Sequence, residues 1–148
     1  MTDIDTQKYL EGEILAFDIG EKRIGVARVN TLANLPEPLH HLNVTGETQL
    51  EAVVHTIKAL NPIAVVIGLP RGLEGQETAQ TSVVRNFIAD LKTEITAQIY
   101  WIDEAGTSKE ALERIKKQKK DGDIDSVAAM IMLEDFMNYK NKQELLVV

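Results

Sequence analysis

The sequence predicts an α/β domain built on a mixed five-stranded sheet flanked by helices. Three observations carry this. Short β-prone runs recur along the chain, and stretches of helical apolar periodicity lie between the later ones. Residues 63–68 (IAVVIG) form a near-continuous apolar run, the mark of a strand covered on both faces. With 148 residues and 44% hydrophobic composition there is room for one sizeable core, so residues 1–148 read as a single domain.

The elements follow in order. Residues 14–19 (ILAFDI) make a first strand. After a polar turn at Gly20, Glu21 and Lys22, residues 23–30 (RIGVARVN) alternate apolar and polar positions like a hairpin partner. A third strand is expected around Pro38–Asn43. The period then changes: Leu50, Val53, Val54, Ile57 and Leu60 recur at helical spacing until Asn61-Pro62 stops the helix. A second helix is expected over 78–94, with Val83, Val84, Phe87, Ile88 and Leu91 on its buried side. Residues 98–103 (QIYWID) form the last strand, and Thr107 can cap a helix carrying Ala111, Leu112 and Ile115. Residues 124–138 are apolar nearly all round, which predicts a final helix largely buried.

Composition excludes several chemistries. The absence of cysteine removes disulfides, zinc-thiolate sites and thiol nucleophiles, and suits a reducing compartment. The segment before Ile14 is polar and acidic, and the longest apolar stretch, Ile63–Leu69, is too short to span a bilayer. A cytoplasmic protein without membrane contact is the expectation. A formal charge of −7 argues against a broad electrostatic grip on nucleic acid, so any such grip is local or bridged by metal ions. The one dense basic run, Lys116-Lys117-Gln118-Lys119-Lys120, reads more readily as a solvated helix end than as a phosphate contact.

The acids carry the chemical interest. Phosphodiester cleavage assisted by two divalent ions needs several carboxylates gathered where one metal can activate a water and the other steady the leaving oxygen. Asp18 interrupts an apolar strand at its carboxyl end, where open α/β sheets place their ligands. Its alternative role is to accept hydrogen bonds from turn N–H groups. Gly20 and Gly25 allow close backbone approach near it. Asp103 and Glu104 follow Ile102 and point to opposite faces, so only one of them readily joins the Asp18 face; the less favoured reading of Glu104 is a solvent-facing strand-end acid. Asp123 and Asp125 open the final helix, where carboxylates are also favoured as caps. His40, His41 and His55 show no metal-ligand or triad spacing.

Four motifs in order, covering nearly the whole chain, resemble one family. AFDIGEKRIGVARVN (16–30) resembles the opening G-x-D-x-G-x-K-R-I-G-V-A motif of the YqgF/RuvX family of pre-16S rRNA nucleases and Holliday-junction-resolvase-like proteins. VVIGLPRGLEGQE (65–77) is similar to its V-V-G-L-P-x-x-x-x-G segment, and the stretch to Phe87 to its helix carrying an Arg and a Phe. WIDEAGTSKEA (101–111) is similar to its D-E-R-x-T-[TS]-x-x-A segment, and DIDSVAAMIMLEDFM (123–137) to its final helix. The resemblance implies an RNase H-like fold and a metal-dependent nuclease, with Asp18, Glu104 and Asp125 as catalytic acids and as ligands to Mg²⁺ or Mn²⁺. Asp103 then becomes a structural or supporting group. Lys22, Arg23, Arg85, Thr107 and Ser108 match positions that can contact substrate, although a solvated turn and an exposed helical Arg explain the three cations equally well.

One departure stands out: the family's Arg after the Glu is Ala105 here, followed by Gly106, so a guanidinium that can fix phosphate is missing. The implied substrate is pre-16S rRNA at its 5′ end in ribosome biogenesis, with branched DNA as the less favoured partner. Ribosomal particles are possible partners, and the chain can be monomer or dimer. Two rivals stand beside this reading. An actin- or sugar-kinase-like ATPase holds nucleotide between two domains, and this length supplies one. A non-catalytic RNA- or ribosome-binding module gains weight from Ala105 and the acidic charge.

Overall fold

Strands whose two faces are both apolar need cover on both sides, and the helices supply it. The computed structural model describes residues 11–44, 48–103, 113, 114, 117 and 124–141. The elements are β1 (Glu13–Ile19), β2 (Arg23–Asn30), β3 (Glu37–Asn43), α1 (Gln49–Leu60), β4 (Ala64–Leu69), α2 (Ala79–Lys92), β5 (Gln98–Asp103) and α3 (Ile124–Asn141). The five strands form one sheet in the order β3-β2-β1-β4-β5. β2 is antiparallel to both β1 and β3, whereas β1, β4 and β5 run parallel, so the sheet is mixed as the sequence predicts. No helix among the described residues is long and apolar enough to cross a membrane.

Strand alternation sorts the core into two layers. Leu15, Phe17, Ile19, Val65, Ile67, Leu69 and Ile99 pack against Val53 and Ile57 of α1 and Val84, Ile88 and Leu91 of α2. Ile14, Ala16, Ala27, Val29, Ala64, Val66, Tyr100 and Ile102 face the other way, onto Ala129, Met132, Leu133, Phe136 and Met137 of α3. Ala16, Ala27 and Ala64 are small, which lets α3 lie close over the centre of the sheet. Burial there pushes the Tyr100 hydroxyl pKa above its ordinary value.

The local signals explain most boundaries. Asn61 ends α1 in the left-handed conformation at φ 50°, its N–H bonded to the Ile57 carbonyl, and Pro62 follows. Thr78 caps α2 in a reciprocal box with Thr81. Here one expectation is corrected. Val83 is 53% exposed, and the buried position of that turn is Thr81, whose hydroxyl donates to the Pro70 carbonyl. Once Thr81 faces the sheet, helical spacing puts Val84, Ile88 and Leu91 beneath it and turns Val83 outward. Of the helix expected after Thr107, Glu113, Arg114 and Lys117 are helical, while Thr107, Ala111, Leu112 and Ile115 lie outside the described residues.

A buried hydrogen bond ties α3 to the sheet: the Val26 N–H donates to Ser126 Oγ at 3.1 Å across 100 residues of sequence. Ser126 is wholly buried. Replacing it with Ala leaves the Val26 N–H without that acceptor, and Ser126→Ala is expected to cost about 1–3 kcal/mol. Urea unfolding of the two proteins measures it, and an unchanged midpoint would mean the bond contributes nothing.

Candidate active site

β1, β4 and β5 run parallel, so Ile19, Leu69 and Asp103 lie at the same end of the sheet. Asp18 lies one residue from the end of β1. Its parity is that of Ile14 and Ala16, which face α3, and it is half-buried. Directly across the antiparallel ladder stands Gly25. A Cβ on Gly25 would lie 1.9 Å from the Asp125 carbonyl oxygen and 2.8 Å from the Ser126 nitrogen. The missing side chain is what admits the first turn of α3 to this part of the sheet. Asp18 and Asp125 are thereby brought to one face and one end of the sheet, with the bare backbone of Gly25 between β1 and α3.

The Asp125 carboxylate leads back to the hairpin turn. Arg23, on the same face of β2 as Gly25, places its Nε 3.2 Å from Asp125 Oδ2. Both side chains are open to water, at 61% and 30% exposure, so this ion pair contributes at most about 1 kcal/mol. The backbone beneath Arg23 is fixed: the Gly20 N–H donates to its carbonyl at 3.1 Å, and the Val44 N–H donates to the Lys22 carbonyl at 2.8 Å. Lys22 itself is exposed at the tip.

Carboxylates offer hard oxygen donors, the kind that suits Mg²⁺ or Mn²⁺. Among the described residues no group of three or more His, Cys, Asp or Glu gathers, so the described part of the site is this pair. Glu104, Thr107 and Ser108 lie outside the described residues, as do Ala105 and Gly106. On β5, Tyr100 and Ile102 face α3 while Ile99 and Trp101 face the other helices, which gives Asp103 the parity opposite to Asp18.

Arg85 is placed elsewhere. It forks onto Glu77, with Nε–Oε1 2.9 Å and Nη2–Oε2 3.0 Å. Its guanidinium also lies 5.6 Å from the Trp101 ring centre, and that of Arg71 lies 5.2 Å from the same ring. This cluster stands on the α2 side of the sheet, opposite the acids. The Arg85 fork holds the Glu77 carboxyl below the usual carboxylate range. The sequence signalled none of these pairings. The one hint was compositional: VVIGLPRGLEGQE carries an Arg and a Glu in a glycine-rich loop leading to the Thr78 cap.

The chain has clear relatives. The family model described as "RuvX: Holliday junction resolvase" matches residues 12–139. A protein of Cupriavidus taiwanensis is 35% identical over 129 residues, covering 86% of this chain and 89% of its own length. One of Paraburkholderia phymatum is 37% identical over 130 residues, covering 86% of each. A third, from Roseiflexus sp., is 33% identical over 133 residues, covering 86% and 94%. All three bear the name "Putative pre-16S rRNA nuclease". Among solved structures, Thermus thermophilus RuvC superposes with a TM-score of 0.64 at 12% identity, covering 92% of this chain and 99% of that one. The same protein in complex with a Holliday junction gives 0.61 at 14% identity, covering 93% and 100%. The fold is therefore the RNase H-like fold of the RuvC resolvases, and the chain belongs to the RuvX family.

Proposed function

We propose that this protein is a metal-dependent endonuclease that cleaves nucleic-acid phosphodiesters, with Asp18, Glu104 and Asp125 as its catalytic acids. The observation that carries the reading is the placement of Asp18 and Asp125 on one face at the carboxyl end of β1, made possible by Gly25. The third member, Glu104, enters the set through its match to the family's D-E-R-x-T motif. Mg²⁺ or Mn²⁺ held by these acids supplies water activation and charge neutralisation at the scissile phosphate.

The chain's own groups have separable tasks. Asp18 is anchored in the central strand and gives the rigid carboxylate. Asp125 lies in the first turn of α3, across from the Gly25 backbone. Lys22 and Arg23, exposed at the hairpin turn beside the acids, meet the substrate backbone; Thr107 and Ser108 offer hydroxyls from the segment after β5. Arg85 joins only a strand that crosses the sheet edge to its α2 side. The names of the relatives favour the 5′ end of pre-16S rRNA as substrate, in the cytoplasm during ribosome biogenesis, ahead of branched DNA.

The test is a cleavage assay with Mg²⁺ or Mn²⁺ on a pre-16S rRNA fragment and on a four-way DNA junction, side by side. We expect metal-dependent cleavage of the RNA and little of the junction. Cleavage of the junction alone moves the substrate to branched DNA. Binding of RNA without cleavage of either leaves a non-catalytic ribosome-binding module, the reading that Ala105 favours.

A further inference from the structure

Arg23 occupies the carboxylate that the proposed metal site needs. Its Nε lies 3.2 Å from Asp125 Oδ2, and it shares the α3 face with Gly25, the cross-strand partner of Asp18. A guanidinium there offsets the repulsion that two neighbouring carboxylates exert on each other. A divalent ion does the same with twice the charge, and repels the guanidinium. We infer that Arg23 is a displaceable counter-ion: it holds Asp125 in the metal-free protein, is expelled when metal binds, and swings outward to take a substrate phosphate. The inference rests on the proposed metal site.

Three features of the side chain fit this role. At 61% exposure it has room to move without disturbing the core. Its backbone is held by the Gly20 hydrogen bond to its carbonyl, so the motion is confined to the side chain. Its planar fork matches phosphate as well as it matches carboxylate. The consequence is a linkage between two ligands. Metal frees Arg23 for the nucleic acid, and nucleic acid that holds Arg23 leaves Asp125 to the metal, so each tightens the other by the same factor.

A merely structural ion pair and a displaceable one differ in the sign of their effects. Mn²⁺ is titrated calorimetrically into nucleic-acid-free wild type, Arg23→Gln, Arg23→Lys and Asp18→Asn. Binding of a 2′-O-methyl phosphorothioate oligonucleotide is followed by fluorescence anisotropy in EDTA and in Mn²⁺. Arg23→Gln is expected to bind Mn²⁺ about two- to five-fold more tightly than wild type, in keeping with a half-exposed pair. The same variant is expected to lose most of the gain in oligonucleotide affinity that Mn²⁺ gives the wild type, with Arg23→Lys between. Unchanged or weaker Mn²⁺ binding in a folded Arg23→Gln overturns the inference. Wild-type Mn²⁺ binding that Asp18→Asn leaves intact overturns the metal-site reading instead, and the inference with it.

Discussion

Asp18→Asn is expected to lower metal-dependent cleavage by about three orders of magnitude, or ~4 kcal/mol of transition-state stabilisation, without unfolding the protein. Asn keeps the size and one acceptor oxygen but removes the charge proposed to hold a divalent ion. Asp18 ends a run of buried residues from Ile14 to Phe17 and is itself only half-buried, so the substitution leaves the packing alone. Single-turnover cleavage and thermal melting, measured on the same preparations, separate the two effects. Activity within ten-fold of wild type in the folded variant would remove Asp18 from the chemistry.

The second large effect is structural and comes from one methyl group. Gly25→Ala puts a Cβ 1.9 Å from the Asp125 carbonyl oxygen and 2.2 Å from its carbonyl carbon. Both are backbone atoms, so no rotamer change relieves the clash, and α3 must lift from the sheet. Lifting it strains the Val26–Ser126 hydrogen bond and the packing of Ala128, Ala129 and Met132. We expect a loss of about 3 kcal/mol or more, at or above the upper end of ordinary overpacking. Mn²⁺ binding should fall with it, because Asp125 moves away from Asp18. Urea unfolding and metal titration give both numbers, and a variant as stable as wild type would mean that Gly25 is not what seats the helix.

The sequence carried the strands well because their apolar runs are long relative to their length and their ends are marked. Residues 23–30 and 98–103 emerge as β2 and β5 with those bounds, and Asn61-Pro62 ends α1 as expected. What it missed depends on contacts between distant segments. Val83 looked buried by periodicity, but Thr81 takes the inward position because its hydroxyl finds the Pro70 carbonyl on the preceding loop. Ser126 reads as a polar interruption in an apolar helix until its partner, Val26, is seen on β2. Gly25 reads as an ordinary strand glycine until the Asp125 carbonyl is found above it.

The site was legible in the same uneven way. The face of Asp18 follows from alternation alone, since Ile14 and Ala16 fix the parity. The position of Asp125 does not, because nothing in residues 123–138 says which part of the sheet the helix crosses. The Arg23–Asp125 pair joins the hairpin turn to the last helix and has no local signature. The grouping of Asp18 with Asp125 came from the family resemblance, which gave no sign of the Arg23 ion pair.

The central claim is that Asp18 and Asp125 are two halves of one metal site. Mn²⁺ affinity measured by calorimetry in wild type, Asp18→Asn, Asp125→Asn and the double variant tests it most directly. If they share an ion, either single change removes most of the binding and the double variant is little worse than the weaker single one, since groups that act as a unit are not additive. Losses that add across the two positions, or Mn²⁺ binding that survives both changes, would contradict it.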